Sequence, residues 1–182
     1  MRTANRKPNL KRRTFLGAGL AAAAGGAALS RGSGGGGPNW RFFTADEGRT
    51  VDAICECIIP ADGDAGARQA GVVNYVDIQL TRVFRKHQRT YRQGIATVDD
   101  TSRRRFGKSF VDLPAGQQAE VLRDVEKNAT AFFQLILAHT QQGFYGDPRH
   151  GGNRNMASWK MVGLPCPPIR GRQRYDSQET VG

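Results

Sequence analysis

From Thr44 to Gly143 the apolar residues recur every three or four positions, and no segment alternates with the period of two that a strand requires. That spacing directs the chain into helices. Thr44 and Glu47 stand three apart, so hydroxyl and carboxylate can each satisfy an orphan N–H at a helix start. Behind them Val51, Ile54, Cys55 and Ile58 share one face, and Pro60 closes the helix. After a turn at Asp62-Gly63-Asp64, a second helix is predicted to carry Val73, Val76, Leu80, Val83, Phe84 and His87 on one stripe. A third runs from about Tyr91 through Ile95, Val98 and Phe106 to Gly107, and a fourth follows Pro114 with Leu122 and Val125 inward. The fifth, from about Thr130, is apolar nearly all round (Phe132, Phe133, Leu135, Ile136, Leu137) and is expected to be the most buried, with Gly143 stopping it. The fold class is all-α: a single compact bundle of about five helices.

The first thirty residues read differently. Arg2, Arg6, Lys7, Lys11, Arg12 and Arg13 precede Thr14-Phe15-Leu16 and a run of Gly and Ala ending near Leu29. A basic head, a short mildly apolar stretch and small residues near a cleavage point make a secretory signal. Arg12, Arg13, Phe15 and Leu16 resemble the bacterial twin-arginine motif, with Lys11 where that motif usually has Ser or Thr. Gly17 to Leu29 is too short and too small-sided to anchor across a bilayer. Cleavage after Ala28 or Ser30 would leave small residues where a signal peptidase reads them. The competing reading is a basic arm for nucleic acid, which the apolar run behind the arginines argues against. Residues 1–38 hold seven Lys/Arg and no acid, so their loss takes the formal charge from +11 to +4. A nucleic-acid partner is not implied.

Residues 31–39 form a Gly/Ser-rich linker, 40–168 a helical domain of ordinary single-domain size, and 169–182 a polar tail. The most distinctive stretch is 143–168, GFYGDPRHGGNRNMASWKMVGLPCPP. Its glycines permit positive φ or close backbone approach, Asp147-Pro148 opens a turn, and Asn153 and Asn155 can bond neighbouring amides. It is not a phosphate loop, since no Gly-Lys-Ser/Thr and no preceding strand accompany the glycines.

This segment resembles the C-terminal signature of the gluconate 2-dehydrogenase subunit 3 family, with its aspartate-proline turn, Gly-Gly-Asn-Arg loop and Trp-Lys pair. Ile58-Ile59-Pro60-Ala61-Asp62, and Gly66-Ala67 through Ala70-Gly71-Val72, resemble that family's opening. The likeness runs from about Phe42 to Pro167, with Cys166 where the pattern has Gly. It implies a non-catalytic small subunit of a periplasmic sugar, polyol or sugar-acid dehydrogenase. The implied partners are an FAD-containing flavoprotein of the glucose-methanol-choline type, often a multihaem cytochrome c that brings the complex to the membrane, and the twin-arginine translocase. No cofactor is expected in this chain; FAD belongs to the partner. The twin-arginine route carries folded proteins, so a signal on a chain without an obvious cofactor site also points to a passenger.

Asp147, Gly151, Gly152, Asn153, Arg154, Trp159 and Lys160 are the candidate partner interface, because Arg and Trp are favoured at interface centres. The alternative is that they only fold the loop, with Asp147 pairing to Arg154 and Trp159 packing on the bundle. Cys55, Cys57 and Cys166 are three, an odd number. Cys55 and Cys57 point to nearly opposite sides of a helix and cannot pair with each other. Cys166 could bridge to either, one cysteine could bridge to the flavoprotein, or all could be buried thiols. No haem-attachment motif is present. His87 and His139 are expected as hydrogen-bonded core residues rather than metal ligands, Asp99-Asp100 has poor geometry for acid/base work, and Arg103-Arg104-Arg105 reads as a solvated face. No catalytic or metal site is expected. The second function class is a stand-alone exported helical ligand-binding domain or an unrecognised enzyme.

Overall fold

The computed structural model describes residues 39–164. The export-signal residues Arg12, Arg13, Phe15 and Leu16, most of the linker, Cys166 and the 169–182 tail lie outside the described residues. Within them the regular structure is helical: α1 Ala45–Ile58, α2 Val72–Leu80, α3 Gln88–Phe106, α4 Ala115–Asn128, α5 Thr130–Tyr145 and a short α6 Ala157–Met161. The capping box forms as the sequence requires. Thr44 Oγ1 accepts from the Glu47 N–H at 3.3 Å and Glu47 Oε2 accepts from the Thr44 N–H at 2.9 Å.

Val51, Ile54 and Cys55 of α1, Val72, Val76 and Leu80 of α2, Val98 of α3, Val121 of α4 and Ile136 of α5 are all fully buried in one shared core. α2 packs on α5, α3 on α4, and α1 spans both pairs. The α3–α5 crossing is close because Gly94 has no side chain: a Cβ there would run into the ring of Phe132. α3 ends where Gly107 turns left-handed at φ 70°.

Two helix ends differ from the sequence reading. α2 stops at Leu80, so Val83, Phe84 and His87 do not continue its stripe; Val83 is 70% exposed. The cause is local capping. The Thr81 hydroxyl donates to the Ile78 carbonyl at 2.8 Å, and the Gln88 side-chain amide donates to the Leu80 carbonyl at 2.9 Å, which turns the chain into α3. Gly143 does not stop α5, which runs on to Tyr145. It is buried inside the helix, where a Cβ would stand 2.9 Å from the Tyr75 ring. Nor is α5 the most buried helix. Ala131 and Gln134 are exposed, and Phe133, Leu135 and Leu137 only half-buried. Six of the nine α2 residues are buried against six of sixteen in α5.

One acid sits in the core. Asp77 on α2 is 2% exposed, and its carboxylate accepts the backbone N–H groups of Arg41 (2.7 Å), Phe42 (2.9 Å) and Phe43 (3.0 Å). A buried carboxylate needs such donors. Here they tie the segment ahead of α1 onto α2. Its sign in the sequence is a lone acid between Val76 and Ile78.

Candidate functional site

The residues from Gly146 to Met161 form a closed loop that packs on the carboxyl end of α5 and the amino end of α2. Asp147 caps a 3₁₀ turn at Pro148–His150, accepting the Arg149 N–H at 2.9 Å and pairing with the Arg149 guanidinium at 2.9 Å. The expected partner, Arg154, is instead carried across to the turn ahead of α2, where its backbone N–H donates to the Ala70 carbonyl at 2.9 Å. A guanidinium two residues away along the same tight turn is already in place for the carboxylate.

Gly151 (φ 98°) and Gly152 are needed sterically. A Cβ on Gly151 would stand 2.6 Å from Ile78 Cδ1, and one on Gly152 would overlap the Gly143 carbonyl oxygen. Asn153 is fully buried and left-handed at φ 44°. Its amide N–H donates to the Gly146 carbonyl at 2.9 Å, and its amide oxygen accepts the Ser158 N–H at 3.0 Å. This one side chain closes the loop at both ends. Trp159 is 8% exposed, with its indole N–H donated to the Tyr145 carbonyl at the end of α5 (3.0 Å). Of the seven residues singled out, Gly152, Asn153 and Trp159 therefore point inward and shape the loop, while Arg154 and Lys160 present charge outward. Asn155 (φ 56°) and Met156 (φ 54°) are left-handed as well, so Arg154 is flanked by strained backbone on both sides.

Beside the loop lies an apolar end. Tyr145, Met161, Val162 and Leu164 are exposed, and Tyr145 and Met161 border a recess of about 380 Å³ lined by Ile58, Ile59, Leu137 and Phe144 together with Asp62, Asp64 and Gln141. Clustered large apolar side chains of this kind mark contact surfaces more often than solvated ones.

The thiols and histidines are quiet. Cys55 is buried, accepts the Thr140 hydroxyl at 3.2 Å, and burial pushes its thiol up to about 12. Cys57 points the other way, donating to the Gln118 side-chain oxygen at 3.4 Å; burial and then Glu56 raise its thiol. Both are free thiols, held in the protonated, poorly nucleophilic form. His139 is a core histidine as expected. It pairs with the Tyr91 hydroxyl at 2.8 Å and stacks on Phe84 at 3.8 Å, and burial, then His87, lowers it to about 4. His87 is half-buried, 5.9 Å from that ring. Among the described residues no three His, Cys, Asp or Glu gather as metal ligands, and no helix is long and apolar enough to cross a membrane. The arginine run is not simply solvated: Arg105 bridges Glu120 and Asp124, riveting α3 to α4. Asp99 accepts the Phe110 N–H.

The fold and the loop define an all-α module that carries a hydrogen-bonded loop and, beside it, exposed apolar side chains. The family model for gluconate 2-dehydrogenase subunit 3 matches residues 45–165, and the chain belongs to that family. Neither the curated proteins nor the solved structures contain a match. The matched segment covers all six helices and the loop. The chain is thus of the type of an accessory subunit in a dehydrogenase complex.

Proposed function

We propose that this chain is the non-catalytic small subunit of a periplasmic FAD-dependent sugar, polyol or sugar-acid dehydrogenase. It docks on the flavoprotein subunit, stabilises it and supplies the twin-arginine address by which both leave the cytoplasm. The observation that carries this reading is the family match over residues 45–165; the exposed Tyr145, Met161, Val162 and Leu164, two of them beside a recess of mixed polar and apolar lining, supply a surface of the kind a subunit contact uses. In this scheme the flavoprotein folds and takes up FAD in the cytoplasm, docks here and crosses as a complex. Hydride leaves the substrate for the flavin in the partner chain, and electrons pass on to a multihaem cytochrome c where one is present. Substrate choice then resides in the partner.

The test is the export signal. Changing Arg12 and Arg13 together to lysine is expected to hold both this chain and the dehydrogenase activity in the cytoplasm on cell fractionation. Activity that still reaches the periplasm would show that the flavoprotein carries its own address.

A further inference from the structure

Arg154 stands between two left-handed asparagines, Asn153 and Asn155. It lies at the amino end of α2, where partial positive charge accumulates and anions are favoured. α2 has no acid in its first turn, and its cap, Gly71, brings no side chain to the helix end. A methyl on Gly71 would stand 3.1 Å from the Asn74 side-chain nitrogen and 3.2 Å from a terminal nitrogen of Arg154, so two donors converge over that glycine. The same spot is one wall of a recess of about 310 Å³ that also includes Arg49, Arg68, Asp52 and Trp40.

The charges of this recess do not balance. Arg68 is committed to Asp52 at 2.7 Å, and Arg49 pairs with Asp46 on the outer face of α1. Arg154 is exposed and has no carboxylate partner among the described residues. The indole nitrogen of Trp40, although buried, has no acceptor among them either. With Arg49 and Arg68 each holding a carboxylate, Arg154 is the guanidinium of this recess left without one among the described residues, and the Asn74 amide lies beside it at the amino end of α2. A recess that keeps one guanidinium unpaired beside a side-chain amide and a helix amino end is matched to an anion.

We propose that this recess is a docking point for a carboxylate side chain, aspartate or glutamate, of the dehydrogenase's catalytic subunit, with Arg154 as its direct partner. The inference rests on the subunit reading above and adds to it a charged contact on a different part of the domain from the apolar end. The apolar end supplies buried area, and the arginine recess fixes orientation. Arg suits this task better than Lys because its planar fork grips a carboxylate at two points.

The experiment uses the full chain, tagged and expressed with its native dehydrogenase. Retention of the catalytic subunit on the tagged chain is measured at low and high NaCl, with each variant's melting temperature taken alongside. Arg154→Glu is expected to weaken retention about tenfold or more at low salt, and Arg154→Gln by a smaller factor, as expected for a charge pair at a contact rim. Arg103→Glu, an equal charge change on the exposed face of α3, is expected to leave retention unchanged. Wild-type retention by both Arg154 variants would overturn the docking point while leaving the subunit reading standing. An equal loss with Arg103→Glu would overturn it too, since the effect would then be diffuse charge. If the unaltered chain retains no dehydrogenase, the subunit reading itself fails, and this inference with it.

Discussion

Residues 45–145 place apolar side chains at helical spacing into a common core, whereas residues 146–161 keep their shape through an asparagine amide, an indole N–H, a capping aspartate and glycines pressed against neighbouring backbone and side chains. The first arrangement tolerates exchange among side chains of similar volume, because burial is non-directional. The second does not, because each polar group has one partner at one angle. The difference separates two tasks. The bundle supplies stability, and the loop holds Arg154 and Lys160 at fixed places outside it.

The largest expected effect comes from two substitutions compared in one urea titration. Phe132→Ala removes a buried ring that lies against Gly94 and edge-on to Tyr91; it should cost about 3–5 kcal/mol and unfold the domain as one unit. Asn153→Ala removes both loop-closing bonds and leaves a poorer residue in a left-handed conformation. Each lost bond costs about 0.5–1.5 kcal/mol. Hydrogen exchange should then show the amides of 146–161 opening while α1 to α5 stay protected. If Asn153→Ala instead exposes the whole bundle to exchange, loop and bundle are one cooperative unit and do not divide the two tasks.

A smaller effect separates the regions by pH. His139, on the bundle side, sits near 4 when folded against an ordinary 6.5, because burial disfavours its charged form. Its neutral form is the one the fold accepts. The stability it contributes is therefore full above about 6.5 and is lost as pH falls towards 4, when the unfolded chain takes up a proton that the folded one refuses. His139→Phe, which keeps the stacking surface, should flatten the decline of melting temperature between pH 6.5 and 4 relative to the unaltered chain. An unchanged slope would mean that the carboxylates alone govern acid sensitivity.

The bundle was legible in the sequence because helical burial writes itself as a period: Val51, Ile54 and Cys55, or Val121, Leu122 and Val125, are inward for that reason alone. What escaped depends on single partners far along the chain. The end of α2 is set by the Gln88 side chain, eight residues beyond Leu80. Gly143 reads as a helix stop by propensity, yet it is there so that Tyr75 and Val72 can lie against α5. The loop was legible as composition, since its glycines and asparagines announce unusual backbone. Its wiring was not: the sequence reading pairs Asp147 with Arg154, and the 3₁₀ turn gives it to Arg149 instead. Likewise the double bond-making of Asn153 and the triple acceptance by Asp77 are facts of three-dimensional placement, which spacing does not encode.

The proposed role of this domain, holding a cofactor-bearing partner, is open to a direct test. The most direct measurement is affinity purification of the full chain, tagged and expressed beside its native dehydrogenase, followed by the absorbance spectrum and subunit ratio of the eluate. The account predicts a larger subunit in equal amount, with a flavin spectrum and sugar or polyol dehydrogenase activity. A chain that elutes alone and colourless, with the activity left in the flow-through, would contradict it.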